Sequence, residues 1–236
     1  MLDRVRHLVG SGARMLAILA SVRAEAVRIP AGPVLLDGDY TQPAATRGVV
    51  LFAHGSGSSR HSPRNRYVAT ALNRVEFGTV LMDLLTADED ELDRRTGALR
   101  FDVALLAQRL TAAADWLAAT SRAAPPPLFL FGASTGAAAA LRCAADRPEL
   151  VNGVVSRGGR PDLAAEALHA VRAPTLLIVG GNDPLVRDLN EQAAATISAG
   201  VEVVVIPGAT HLFEEPGALD AVIDATIERL RRWQAA

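Results

Sequence analysis

Residues 125–140 read Pro-Pro-Pro-Leu-Phe-Leu-Phe-Gly-Ala-Ser-Thr-Gly-Ala-Ala-Ala-Ala. Leu128 to Phe131 has the make-up of a short buried strand, and the alanine run after Gly136 that of a helix. Between the two, the chain turns from strand to helix within a few residues, and a side chain at such a turn projects out of the sheet. Gly132 and Gly136, two before and two after Ser134, leave room for the turn, because a Cβ at either place meets the neighbouring strand or helix. This G-x-S-x-G stretch marks Ser134 as an exposed nucleophile. The competing reading is a serine N-cap beside packing glycines.

Outward from this point, short aliphatic runs alternate with longer periodic segments. Strands are predicted at residues 48–53, 79–83, 128–131, 153–156, 175–179 and 201–206, as near-continuous apolar runs typical of parallel strands covered on both faces. Weaker strand signals lie at 27–29 and 34–36. Helices are predicted at 63–76, 102–121, 136–145, 185–198 and 219–233; the first carries Ser62 as N-cap and Pro63 in its first turn. No repeat and no Gly/Ser-rich or Pro-rich linker divides the chain. The pattern predicts one α/β domain over residues 26–236, a doubly wound, mostly parallel sheet flanked by helices. Residues 1–25 read as an N-terminal helical extension, with a secretory signal as the alternative, because Arg14 interrupts the apolar stretch 8–20. Only residues 157–174 separate two predicted strands late in the chain, too few for an inserted cap domain.

A serine hydroxyl needs a base within hydrogen-bond reach and an acid behind that base. The strand at 175–179 runs into Gly180-Gly-Asn-Asp183-Pro, and the strand at 201–206 into Pro207-Gly-Ala-Thr-His211. Asp183 and His211 therefore fall at the same sheet edge as Ser134, in the chain order serine, acid, histidine. Asp188 and Asp162 compete for the acid. Among the other histidines, His7 lies outside the core pattern, His61 in a loop and His169 in a helix, while His54 precedes a glycine turn whose loop it is expected to structure. The oxyanion hole is assigned to the backbone amides of Thr135 and Ser56, with Gly57 as neighbouring candidate. The loop 54–63 lacks the third glycine of a dinucleotide fingerprint, since Arg60 takes its place.

Composition narrows the chemistry further. The 236 residues hold 24 Lys plus Arg, every one an arginine, against 26 acids, for a net charge of −2. Without lysine there is neither a Schiff base nor a P-loop lysine, so no cofactor of those classes is expected. One cysteine, Cys143, forms no internal disulfide and suits a reducing cytoplasm. The charge balance argues against nucleic-acid binding, no run of about 18 apolar residues suggests a membrane span, and no histidine pair has metal-ligand spacing. A small-molecule substrate is expected; oligomeric state is not readable from one chain.

Taken together, His54-Gly-Ser-Gly57, Gly132-Ala-Ser-Thr-Gly136, Gly181-Asn-Asp183-Pro and Ala209-Thr-His211 resemble the α/β-hydrolase superfamily, and more narrowly its small lidless dienelactone hydrolase-like group, over roughly residues 25–235. The resemblance implies an ester or lactone hydrolase. One departure is plain: dienelactone hydrolases use a cysteine nucleophile, and here Ser134 stands in that place, with Cys143 expected to be buried and inert.

The loops expected to open onto Ser134 carry Arg60, Arg157 and Arg160. Guanidinium forks match carboxylates and phosphates, so these three are candidate contacts to an anionic group on the substrate; the alternative is that they pair with local acids such as Asp162 or are solvated. The expected activity is ester or lactone hydrolysis through an acyl-enzyme. A noncatalytic scaffold, and an acyltransferase or peptidase using the same triad, are the other readings.

Overall fold

The computed structural model describes residues 22–120 and 125–234. A single eight-stranded sheet runs in the spatial order β1-β2-β4-β3-β5-β6-β7-β8. Its strands are β1 (Val22–Ala31), β2 (Val34–Pro43), β3 (Gly48–Ala53), β4 (Phe77–Met82), β5 (Leu128–Ala133), β6 (Val151–Arg157), β7 (Thr175–Gly180) and β8 (Val201–Ile206). The β1–β2 and β2–β4 pairs are antiparallel; all other pairs are parallel. The helices are α1 (Pro63–Arg74), α2 (Ala87–Thr96), α3 (Val103–Thr120), α4 (Thr135–Asp146), α5 (Ala165–Leu168), α6 (Pro184–Thr196) and α7 (Ala218–Gln234). This is the expected doubly wound, mostly parallel α/β architecture, and between β6 and β7 stand only a 3₁₀ turn, Pro161–Ala164, and the one-turn α5 in place of a cap domain.

Every residue of β3, β4, β5 and β7 is buried, as apolar strands covered on both faces should be. Two apolar clusters do the covering. One gathers Leu51, Leu106, Leu110, Leu130 and Leu141 beneath α3 and α4; the other gathers Phe52, Leu72, Phe129, Phe131 and Leu230 beneath α1 and α7. The second holds the buried phenylalanines, with Phe129 between Phe77 (ring centroids 6.0 Å apart) and Trp233 (6.3 Å).

Three elements depart from the sequence expectation. The weak signals at 27–29 and 34–36 are the centre of a ten-residue-per-strand hairpin turning at Gly32 (φ 64°). Arg28, Asp37 and Asp39 lie on its more open face, so its apolar run is short although its hydrogen-bond ladder is long. Residues 22–25, read as part of the N-terminal extension, belong to β1, while residues 1–21 lie outside the described residues. The edge strand β8 is covered incompletely, leaving Val205 41% exposed.

The acidic segment around residues 88–93, outside every element expected above, forms the helix α2. Thr86 and Glu89 form a reciprocal capping box at its start, and Gly97 (φ 67°) ends it. Asp93 is buried beneath it and accepts the amides of Leu99 and Arg100 and the Arg100 Nε–H. Burial alone raises the pKa of that carboxyl, but these donors outweigh it and hold Asp93 below the usual range.

Phe129 fills the space between Phe77 and Trp233 of the C-terminal helix. Phe129→Ala should cost about 3–5 kcal/mol and lower the melting temperature by roughly 6–20 °C, read by calorimetry.

Candidate active site

At the end of β5 the chain folds over itself closely. A Cβ on Gly132 would collide with Ala137 at the start of α4, and one on Gly136 with the carbonyls of Ala53 and His54 at the end of β3. Between these glycines Ser134 adopts φ 51°, ψ −121°, a conformation L-residues rarely take. Its backbone is tied on both sides: the Ser134 amide donates to the Arg157 carbonyl (3.2 Å), and its carbonyl accepts the amides of Ala137 and Arg160 (both 3.1 Å). The side chain that results stands clear of the sheet.

His211 and Asp183 meet it there. The Ser134 hydroxyl lies 3.3 Å from His211 Nε2, and His211 Nδ1 lies 2.8 Å from Asp183 Oδ2. That carboxylate is 15% exposed, which suits a group that must hold an imidazole without being pulled away by water. The two loops are sewn together: the Gly181 amide donates to Ile206, the Asn182 amide to Ala209, and Asn182 Nδ2 to the Gly208 carbonyl (2.9 Å). The competing acids are committed elsewhere, Asp162 to both donors of Arg160 and Asp188 to Arg187.

The loop after β3 brings a second set of groups. Gly55 to Ser58 is a turn closed by Ser58 N–H to Gly55 O (3.2 Å), with Gly57 at φ 68°. Gly55 packs directly on Ser134, since its missing Cβ would sit 3.1 Å from Ser134 Cβ. Among the described residues, no protein acceptor takes the amides of Ser56 or Thr135. His54 is buried, with Nδ1–H donating to the Gly55 carbonyl (2.9 Å) and Nε2 accepting the Leu84 amide (3.1 Å). It structures the loop, and burial pushes its pKa below the ordinary histidine value, so it stays neutral. His61 is exposed beside the same loop and His169 is exposed at the end of α5; His7 lies outside the described residues.

A cavity of about 270 Å³ opens beside the turn and Thr135, walled by Leu84, Leu85, Leu106, Arg60, Asp83 and Arg100 among others. Reading the sequence did not find the α2 side of this wall. The signal was there in Thr86-x-x-Glu89, the capping-box spacing that marks a helix start.

The three arginines divide. Arg60 donates its backbone amide and its guanidinium to Asp83, with Asp39 at 3.9 Å. Arg160 forks onto Asp162 at 2.7 and 2.8 Å. Arg157 is buried and has no acidic partner among the described residues. Cys143 is buried in α4, and burial pushes its thiol up to about 11. Among the described residues no three His, Cys, Asp or Glu side chains gather as metal ligands would, and no helix is long and apolar enough to cross a membrane.

The family profile described as "Alpha/beta hydrolase domain" matches residues 46–235, and the chain belongs to that family, in its dienelactone hydrolase-like group. It is 53% identical over 222 residues to a Mycobacterium tuberculosis protein named "Putative phosphoribosyl transferase", a match that takes in 94% of this chain and 49% of that protein. The chain thus spans about half the length of the curated relatives it matches. A dienelactone hydrolase from Anabaena variabilis superposes at a TM-score of 0.86 with 53% identity, over 88% of this chain and 96% of that one. A dienelactone hydrolase-like promiscuous phosphotriesterase from metagenomic libraries shares the fold at a TM-score of 0.74 and 17% identity, over 90% and 99%.

His54 makes loop order depend on acidity. Its folded pKa is depressed, so its contribution is complete above the unfolded value of about 6.5 and is lost as pH falls from there through the lower folded value. Melting temperature should drop between pH 6.5 and 4.5 more steeply in the wild type than in His54→Asn, which cannot titrate; equal slopes refute the assignment.

Proposed function

We propose that the chain is a serine hydrolase that cleaves a carboxylic ester or lactone of a small-molecule substrate through an acyl-enzyme. The observation that carries this reading is the hydrogen-bonded line Ser134–His211–Asp183, with two unengaged amides, Ser56 and Thr135, beside the serine.

The chemistry follows from the geometry. Ser134 Oγ attacks the acyl carbon while its proton passes to His211 Nε2. Asp183 accepts the Nδ1–H, fixes the tautomer and stabilises the imidazolium. Charge developing on the carbonyl oxygen is taken by the Ser56 and Thr135 amides, and because the Gly55–Ser58 turn and the α4 terminus hold them in place, little reorganisation is needed. The tetrahedral adduct collapses as His211 returns the proton to the leaving oxygen. Water, activated by the same imidazole, then releases the acid. The absence of a cap between β6 and β7 leaves the serine accessible to water, which favours hydrolysis over transfer to another acceptor. A lone buried cysteine and the lack of a membrane-crossing helix among the described residues fit a cytoplasmic enzyme. The transferase name of the mycobacterial relatives is not carried over, since the chain spans half of them.

A fluorophosphonate probe should label the wild type and leave Ser134→Ala unlabelled. With a short-chain nitrophenyl ester, Ser134→Ala and His211→Ala should each lower kcat by about 10⁴-fold or more. A folded wild type that takes no label overturns the proposal.

A further inference from the structure

Sites for small ligands are mostly apolar, with a few placed polar groups. In the cavity beside the Gly55–Ser58 turn, polar side chains outnumber apolar ones: Leu84, Leu85 and Leu106 supply its larger apolar side chains, and most of the rest is carboxylate, guanidinium and hydroxyl. The charges of this wall are compensated. Asp83 is matched by Arg60, Asp93 by Arg100 (2.6 Å), Asp90 by Arg94 (3.1 Å) and Asp37 by Arg28 (3.2 Å). Neither an anion nor a cation finds an unspent counter-charge there, and a long alkyl chain would cut the polar groups off from water with nothing in return.

What the pairing leaves over is hydrogen-bonding capacity. Asp83 accepts the Arg60 amide (2.7 Å) through one oxygen and the Arg60 guanidinium through the other, which fills two of about four acceptor positions on a carboxylate. Arg60 Nε–H has no hydrogen-bond partner among the described residues, with Asp39 3.9 Å away. Thr135 is 2% exposed and lines the same cavity, and its hydroxyl is enclosed without a partner among the described residues. Ser56 and Ser58 bring further hydroxyls from the loop. A hydroxyl group donates and accepts at once and carries no charge, so it suits a wall where spare donors stand beside spare acceptors. Position assigns this wall to one end of the substrate. The cavity is lined by Ser56 and Thr135, the two residues proposed to hold the oxyanion, but by neither His211 nor Asp183. The leaving oxygen takes its proton from His211 Nε2, so the alcohol part lies on the histidine side and the acyl part points into the cavity.

We infer that this cavity receives the acyl part of the substrate and that the acyl part is neutral and rich in hydroxyls, as in the lactone of a sugar acid or an ester of a polyhydroxylated acid. The inference rests on the proposed serine-hydrolase reading and adds the chemical class of the substrate. At about 270 Å³ the cavity lies just below the usual range for ligand pockets, about 300–1,000 Å³, so the acyl part is short, of the order of one sugar ring. Thr135 then serves twice, its amide toward the carbonyl oxygen and its hydroxyl toward a hydroxyl of the acyl chain. With a lactone, the bond from Ser134 Oγ to the carbonyl carbon forms as the ring C–O bond breaks, and the freed ring oxygen takes the proton from His211. Water then displaces Ser134 Oγ, and the product is the open-chain hydroxy acid.

The test pairs two six-membered lactones, D-glucono-δ-lactone and δ-valerolactone, which share the ring and differ in its hydroxylated substituents. Each turnover releases one proton, read by pH-stat with the uncatalysed rate subtracted. The wild type should favour the hydroxylated lactone in kcat/KM by roughly tenfold or more beyond the ratio of the uncatalysed rates. Thr135→Val keeps the amide and removes the hydroxyl; it should lower that excess preference about fivefold and melt no lower than the wild type, because the hydroxyl has no partner to lose. Ser58→Ala reads the same ratio should the valine variant not fold. D-Glucono-δ-lactone should also slow fluorophosphonate labelling of the wild type more than δ-valerolactone at equal concentration. A labelled wild type without the excess preference, or a folded Thr135→Val that keeps it in full, overturns this inference and leaves the hydrolase reading standing. A folded wild type that takes no label overturns both.

Discussion

The close crossing of α4 over the ends of β3 and β5 is the constraint on which the site depends. It exists because neither Gly132 nor Gly136 carries a Cβ; with one, Gly136 would occupy the carbonyls of Ala53 and His54. From that closeness come three consequences. Ser134 is forced to positive φ and out of the sheet, its neighbour Thr135 presents a free amide at the head of a helix, and the loop after β3 is brought against the serine through Gly55. Backbone in such a region costs on the order of 1–3 kcal/mol. The cost is offset by β3 and β5, buried along their whole length, by β6, buried at every residue but Asn152, and by the hydrogen bonds that clamp Ser134 to residues 157 and 160.

Rigidity of a similar kind governs the partners. The Asp183 and His211 loops belong to adjacent parallel strands, and bonds from Gly181 and Asn182 join them before any substrate arrives. Asn190 adds a further tie, donating from inside α6 to the Gly159 carbonyl of the loop that clamps Ser134. Thus the three loops around Ser134, His211 and Asp183 are fastened to one another as well as to their strands. Placement of this precision converts what would be an encounter of separate groups into a preset geometry, which is where much of the rate gain of such sites arises.

Much of this was legible in the sequence, for physical reasons that can be named. Central parallel strands are apolar on both faces, so β3, β5 and β7 stand out, and the G-x-S-x-G turn, Asp183 and His211 follow from where those strands end. The β1–β2 hairpin did not stand out to its full length, because a strand open on one face is held by its ladder and carries charges such as Arg28 and Asp37. The helix α2 was hidden for a related reason: its surface is charged, and its cap and the buried Asp93 hold it in place of an apolar stripe. Least readable of all were the partners of the arginines. Asp83 is 23 residues from Arg60, and the two meet only because β3 and β4 are neighbours in the sheet.

That last point bears on why the chain's cations are what they are. At residue 157 the guanidinium has a chemical effect. Burial and Arg64 lower the Arg157 guanidinium to about 10, which leaves it fully charged at neutral pH. With no acid among the described residues to hold its proton, the Arg157 guanidinium keeps its charge through its own high basicity. That buried charge, paired in register with Ala133 beside Ser134, is therefore stable in its protonation but not in its solvation.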